Sequence, residues 1–310
     1  MIQRMTIIHN PVSGRRGVRP HQLDSVRLAL DRVGIESECF ATRGPGHATE
    51  LAMQALARGT ELILVRGGDG TLNEVLQAMV GSGVPLAIWP GGTANVLARV
   101  LGLPRTPDCL ISTIISGHTR TITVGQAGRR YFFLMAGIGL DASIVRHLNP
   151  RLKRLGGLLA FWASGFQHVA RWPAPAFTLR VDGNEYRVTF ATLANAPYYG
   201  GGLRLAPQAR LDAVWLDVCA FRTRNKLRYL LVHLPSSFFG RHIRQRGVIY
   251  LKTREARAES SEDIWVQVDG ELIGHLPMTF RSIPEAIRVC IPPDAVSTVD
   301  DRRERMRRSK

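Results

Sequence analysis

Three times in the first hundred residues an apolar run ends in a turn carrying glycine, and apolar residues then return at helical spacing. The clearest case is "LILVRGGDGTLNEVLQAM" (62–79). Leu62 to Val65 are continuously apolar, as suits a strand buried on both faces of a parallel sheet. Leu72, Val75, Leu76 and Met79 share one helix face. Thr71 followed by Glu74 reads as a capping box, so the spacing predicts a helix from Thr71. Parallel strands need crossover connections, and the helices supply them. A chain built on this unit is held to an α/β architecture.

"LAIWPGGTANVLARVLGLP" (86–104) repeats the device, with Thr93 as the expected N-cap, Val96, Leu97, Val100 and Leu101 on the helix, and Gly102 and Pro104 at its end. "IIHNPVSGRRG" (7–17) is a looser third version carrying Asn10, Ser13 and Gly14. Between them, "PHQLDSVRLALDRVG" predicts a helix with Leu23, Val26, Leu30 and Val33 on one face and Gly34 as its cap. "IESECFA" predicts a strand and "GHATELAMQALARG" another helix. After about residue 120 the rhythm changes. "RTITV", "RYFFLMAGI", "AFTLRV", "EYRVTFATLA", "LDVCAF", "GVIYLKT", "DIWVQV", "MTFRS" and "AIRVCI" are short and strand-like, as in a mostly antiparallel domain. The expected division is an α/β domain over 1–122, a β-rich domain over 123–293 and a basic tail over 294–310.

No apolar run approaches the ~20 residues that span a bilayer, and the N-terminus lacks the long apolar core of a signal peptide. The four cysteines have no paired spacing, so neither a zinc site nor a disulfide framework is expected, and a reducing, cytoplasmic setting is. Net charge is +16, and only four of the 41 basic residues are Lys. Such a field attracts phosphorylated substrates, anionic lipid or nucleic acid. An Arg-favouring codon bias would account for the Arg:Lys ratio but not for the charge.

The glycine joints fall at the carboxyl ends of parallel strands, where open α/β sheets bind ligands. Glycine lets a backbone approach a ligand closely or take positive φ, and a helix N-terminus attracts phosphate. One such joint is also what a tight turn without ligand needs; three in one sheet point to a nucleotide. No G-K-[ST] follows either joint and neither has G-x-G-x-x-G spacing, so this is neither a Walker A loop nor a dinucleotide fingerprint. Asp69 is the acid of these loops, suited to Mg²⁺ or a proton. In "QVDGELIG", Asp-Gly between alternating strands is a type I′ hairpin signal.

Taken together, "NPVSG" (10–14), "TRGPGHATELA" (42–52), "GGDGTLNEV" (67–75), "PGGTANVLAR" (90–99), "AGIGLDA" (136–142), "NAPYYGGGLRLAPQA" (195–209) and "VDGE" (268–271) resemble the diacylglycerol kinase catalytic domain family, which includes YegS-like and DgkB-like bacterial lipid kinases and is related to sphingosine and ceramide kinases. The resemblance implies a parallel-sheet nucleotide-binding domain of the NAD kinase and phosphofructokinase type plus a β-sandwich lipid domain, with the active site between them. It implies ATP contacts at Asn10, Ser13, Gly14, Thr42, Gly67, Gly68, Asp69, Gly70, Thr71, Leu72, Asn73, Gly92, Thr93 and Asn95. It implies Glu271 as general base with Asp269 beside it, and Asp69 as second catalytic candidate and neighbour of a nucleotide-bound Mg²⁺. The implied activity is ATP-dependent phosphorylation of a membrane lipid hydroxyl, by a cytoplasmic enzyme peripherally attached to an anionic membrane. "LLAFWASGFQHVARW" (158–172) is a candidate docking segment, equally readable as a buried helix. A homodimer is left open and no nucleic acid partner is expected. The alternatives are an NAD kinase-like enzyme with a soluble substrate and a non-catalytic lipid or nucleotide sensor. The chain departs from the family at Val96, where bacterial members often carry aspartate. It departs again in "ARLDAVWLDV", where Ala213 and Val214 replace the Asp-Gly of a structural Mg²⁺ site, with Asp212 as the substitute at hand.

Overall fold

A computed structural model of the chain describes residues 2–14, 20–147, 172–198 and 202–293. The candidate docking segment, apart from Trp172, and the basic tail lie outside the described residues. Two compact units emerge: residues 1–122 with 285–310, and residues 123–284. Residues 285–293, expected in the second domain, therefore go with the first, because the last strand hydrogen-bonds there. Among the described residues no helix is long and apolar enough to cross a membrane.

In the first unit, strands β1 (Arg4–His9), β2 (Glu36–Ala41), β3 (Leu62–Gly67) and β4 (Leu86–Pro90) run parallel in the order β2-β1-β3-β4. The helices between them are α1 (Pro20–Asp31), α2 (His47–Ala57) and α3 (Asp69–Met79); α4 (Val96–Val100) and α5 (Pro107–Ser116) follow β4. Alternate residues explain the layering. Met5, Ile7, Leu62 and Leu64 pack with Leu23, Val26 and Leu30 of α1 and Leu110 and Ile114 of α5. Ile8, Ile63, Val65 and Ile88, on the other face, are also fully buried, as a parallel sheet covered twice requires. Val33 lies beyond the end of α1 and is exposed, so it is not part of the predicted face.

The second unit has two antiparallel layers. One is a six-stranded sheet containing β7 (Met135–Gly139), β10 (Phe190–Ala194), β11 (Leu216–Phe221), β12 (Val248–Thr253), β14 (Trp265–Val268) and β15 (Glu271–His275), in the order β12-β11-β10-β7-β14-β15. The other holds β8 (Phe177–Val181), β9 (Asn184–Val188), β13 (Glu255–Glu259) and the first part of β16 (Met278–Cys290). Ile138, Leu193, Val218, Val266 and Val268 of the first layer pack on Phe177, Leu179, Ala256 and Phe280 of the second, which makes a sandwich. "MTFRS" and "AIRVCI", expected as separate strands, are one strand of 13 residues. "RTITV" falls in β5 (Thr119–Ala127), and "RYFFLMAGI" divides into β6 (Arg130–Phe132), which pairs with β5, and β7.

Candidate active site

At the carboxyl ends of β1, β3 and β4 the three joints form one structure. Asn10 N–H donates to Arg66 O (2.9 Å) and Gly91 N–H to Gly67 O (2.8 Å), extending the sheet ladder into the loops. The Asn10 amide donates to Thr71 Oγ1 (3.1 Å), while Asn10 Oδ1 accepts from Val12 N–H (3.1 Å). A Cβ on Gly92 would stand 2.6 Å from the Gly68 α-carbon, so the two glycine backbones touch, and Ser13 Oγ lies beside them. Gly67, Gly68, Gly91 and Gly92 are absent from the glycines with positive φ. Close approach, rather than left-handed backbone, is why glycine stands there.

Asp69 is the clasp of this arrangement. Its carboxylate accepts Val96 N–H (3.1 Å) on one oxygen and Leu97 N–H (3.3 Å) on the other, and so caps α4 from the neighbouring joint. Burial pushes its carboxyl above the usual range, against the pull of these N–H donors. The expected caps are therefore corrected. The residue before α4 is Asn95, in left-handed conformation with its amide bonded to Gly92, and Thr93 is exposed upstream of it. Helix α3 starts at Asp69, with Gly68 before it and no side-chain cap. Thr71 and Glu74 have the capping-box spacing, but they bond Asn10 and the N–H of Ala48 instead.

Of the expected nucleotide residues, the structure brings together Asn10, Ser13, Gly14, Gly67, Gly68, Asp69, Gly70, Thr71, Gly92 and Asn95. Thr42 stands at the end of β2, its N–H on His9 O (2.8 Å). Leu72 and Asn73 are buried in α3, so their side chains are not presented to a ligand. What the joints do offer is the first turn of α3, whose N–H groups have no acceptor within the helix and carry the positive end of its dipole.

Arg66 was not anticipated. It is paired in register with His9 on β1 and Trp89 on β4, which puts the three side chains in one row across the strand ends. Its guanidinium lies 4.8 Å from the Trp89 ring centroid, and a Cβ on Gly91 would fall on it. Nε and one terminal nitrogen are buried without a partner among the described residues. Burial lowers the pKa of Arg66, and burial followed by the Arg66 charge lowers that of His9. A buried cation with unused donors under a glycine loop can accept an anion. The available signal was a lone charge ending an otherwise apolar strand.

In the second unit, Asp269 (φ 49°) and Gly270 (φ 92°) make a two-residue turn closed by the Val268–Glu271 pair. Positive φ at both positions is the type I′ geometry that the sequence signals. The Asp269 carboxylate accepts N–H bonds from Phe133 (2.8 Å), Leu134 (2.9 Å) and Met135 (3.0 Å). Its visible work is holding the hairpin on the β6–β7 connection. Gln267 adds a second brace, accepting Gly270 N–H (2.7 Å) and donating to buried Asp141 (2.6 Å) of "AGIGLDA". Glu271 differs: its side chain is 40% exposed and, among the described residues, meets only the Arg130 guanidinium (2.9 Å).

Among the described residues no three His, Cys, Asp or Glu side chains group as a metal site. Asp212 is bound bidentately by Arg210 (3.0 and 2.9 Å), next to Ala213 and Val214. A carboxylate held by guanidinium beside two apolar residues does not fit a structural Mg²⁺.

Family profiles match the chain in two parts: the diacylglycerol kinase catalytic domain over residues 4–127, and the YegS C-terminal NAD kinase beta sandwich-like domain over residues 135–291. A diacylglycerol kinase of Bacillus subtilis (strain 168) is 32% identical over 308 residues, covering 97% of this chain and 100% of that one. One from Staphylococcus haemolyticus is 31% identical over 293 residues, covering 93% and 88%. The crystal structure of a diacylglycerol kinase from Bacillus anthracis str. Sterne superposes with a TM-score of 0.77 at 23% identity, covering 94% of this chain and 98% of that one. At that identity the match speaks for the fold.

Proposed function

Since the chain belongs to the diacylglycerol kinase family, and is thus a kinase with an alcohol acceptor, we propose that it transfers the γ-phosphoryl group of ATP to the hydroxyl of a membrane lipid of the diacylglycerol class. The observation that carries the nucleotide half is the cradle of touching glycine backbones at the N-terminus of α3, clasped by Asp69 and underlain by Arg66. Phosphoryl transfer asks mainly for positioning and charge stabilisation. The α3 N–H groups, Asn10 and Ser13 would hold the phosphates, and Arg66 would add fixed positive charge. Mg²⁺ arriving with ATP would neutralise the phosphates near Asp69. No structural Mg²⁺ is invoked. Glu271 is the proposed base. It is the accessible carboxylate of the hairpin, and Arg130 beside it orients it, while Asp269 is spent on backbone N–H groups. A general base must reach the hydroxyl it deprotonates. Attachment to the membrane is peripheral in this reading.

The test is to incubate the protein with radiolabelled ATP and a total lipid extract in detergent micelles and to identify the labelled product. Label in a monoacyl- or diacylglycerol phosphate supports the proposal. Label transferred to NAD in a parallel incubation, with no lipid labelled, would establish the NAD kinase-like alternative.

A further inference from the structure

Residues 218–254 hold nine Arg and Lys and no Asp or Glu. The helical part of this stretch runs Lys226–Arg228, then a π-helical turn Tyr229–His233, then Leu234–Phe238. Its inner face is fixed. Tyr229, His233 and Ser237, each four residues on from the last, are 5%, 2% and 2% exposed. Phe221 of β11 contacts the Tyr229 and His233 rings at 5.7 and 5.1 Å, and the Tyr229 hydroxyl bonds Thr189 Oγ1 (2.9 Å). Anchoring that face turns the other outward. Leu227 and Leu231, also four apart, are 65% and 71% exposed, and Phe239 is 71% exposed; Val232 and Phe238 are exposed as well. Arg222, Arg224, Arg241, Arg244 and Arg246 are exposed around them, and the Arg241 guanidinium stands 5.9 Å from the Phe239 ring centroid.

We propose that this face, residues 222–246 with Leu227, Leu231 and Phe239 at its apolar centre, docks the enzyme on a bilayer rich in anionic phospholipid. The inference rests on the lipid-kinase reading for its purpose, not for its geometry. Aliphatic and aromatic side chains set among arginines, with no acid in 37 consecutive residues, are what an interfacial element needs: apolar groups to enter the acyl boundary and cations to meet the headgroups. A soluble protein seldom leaves such side chains uncovered together. A rim of arginines also disfavours a second copy of the same surface, because two like patches would repel. Occupancy by a lipid surface relieves both the apolar exposure and the charge.

The experiment is co-sedimentation of the full chain with phosphatidylcholine vesicles, with and without phosphatidylglycerol, at low and high salt. Wild type should sediment with the anionic vesicles, and salt should weaken it. Leu231→Ser with Phe239→Ser should abolish the binding that survives high salt. Arg241→Ala and Arg244→Ala should each weaken partition about fivefold at low salt, since a juxtamembrane cation contributes about that factor. Folding is checked by circular dichroism, and if the serine variant misfolds, the arginine variants decide alone. Wild-type sedimentation by all variants overturns the proposal. So does a wild-type dimer that the serine variant dissociates without changing vesicle binding, which would make the face a contact between copies. Turnover in detergent micelles is read separately. Vesicle binding through this face without phosphorylation of any lipid would sink the kinase reading and leave the docking face standing. Turnover with unaltered variant binding would do the reverse.

Discussion

Arg66 sets stability and function against each other. Its nitrogens that find no partner among the described residues cost the fold their solvation, and a bound phosphate would recover that cost. Arg66→Met keeps the stem on Trp89 and removes the charge. The melting temperature should hold or rise, while affinity for ATP falls roughly 10- to 100-fold, as loss of a charged hydrogen bond does; the KM for lipid should not move. Nucleotide titration and thermal melts on one preparation check this, and unchanged ATP affinity would reduce Arg66 to a packing residue. Glu271 and Asp269, two residues apart, should separate just as cleanly. Glu271→Gln should bind ATP like wild type and lose turnover about 10²–10⁴-fold, with little change in stability because an exposed ion pair contributes at most ~1 kcal/mol. Asp269→Ala strips the acceptor from three backbone N–H groups and should show first as a lower melting temperature. The sequence marked both carboxylates, but it could not divide their roles. The partners of Asp269 lie more than 130 positions upstream.

At the scale of elements, strand, glycine joint and helix were legible because the apolar period changes from continuous to helical within five residues. Where each helix starts was not. Thr71 and Glu74 satisfy the local rule, yet Asn10 and Ala48, 61 and 26 positions away, engage them. The carboxylate that caps α4 stands 27 positions before it. Asp69→Ala should therefore lower stability by about 0.5–2 kcal/mol, the usual cost of a lost cap, and lower ATP affinity with it, because the joints part. Asp69→Asn, which keeps one acceptor, should lose less of both. Intact ATP binding without turnover in the Asn variant would give Asp69 a part in the chemistry. The helical segment of the second unit carries a pH dependence. His233 and His242 are buried against Phe221, with Gln245 and Leu205 O as their partners and Arg228 near His233. Burial holds both imidazoles below the ordinary 6.5. The folded chain thus binds fewer protons than the unfolded one. The stability from this pair is complete above pH 6.5 and is lost as pH falls towards the folded values, by at most ~1.4 kcal/mol per pH unit for each ring. Chemical denaturation across that window should show the decline, and His242→Phe should flatten it.

For the molecule as a whole, two domains were legible from the change of rhythm near residue 120. The return of the chain was not, because "SIPEA" looks like a break between strands, whereas β16 continues through it. Its last residues hydrogen-bond beside β4, with Val289 opposite Leu86, and Ile291 N–H bonds His118 O. A fragment of residues 1–122 should accordingly be poorly soluble, its β4 edge open. Joining residues 285–293 to that fragment through a flexible linker should restore a cooperative melt; equal behaviour of the two would mean that the returning strand is dispensable. The same strand imposes an order of events on the ribosome. The parallel-sheet unit is the first to be synthesised and the last to be completed, since its sheet waits for residues that emerge only after the sandwich has been made. A nascent chain arrested before residue 285 carries every glycine joint and still lacks a finished sheet.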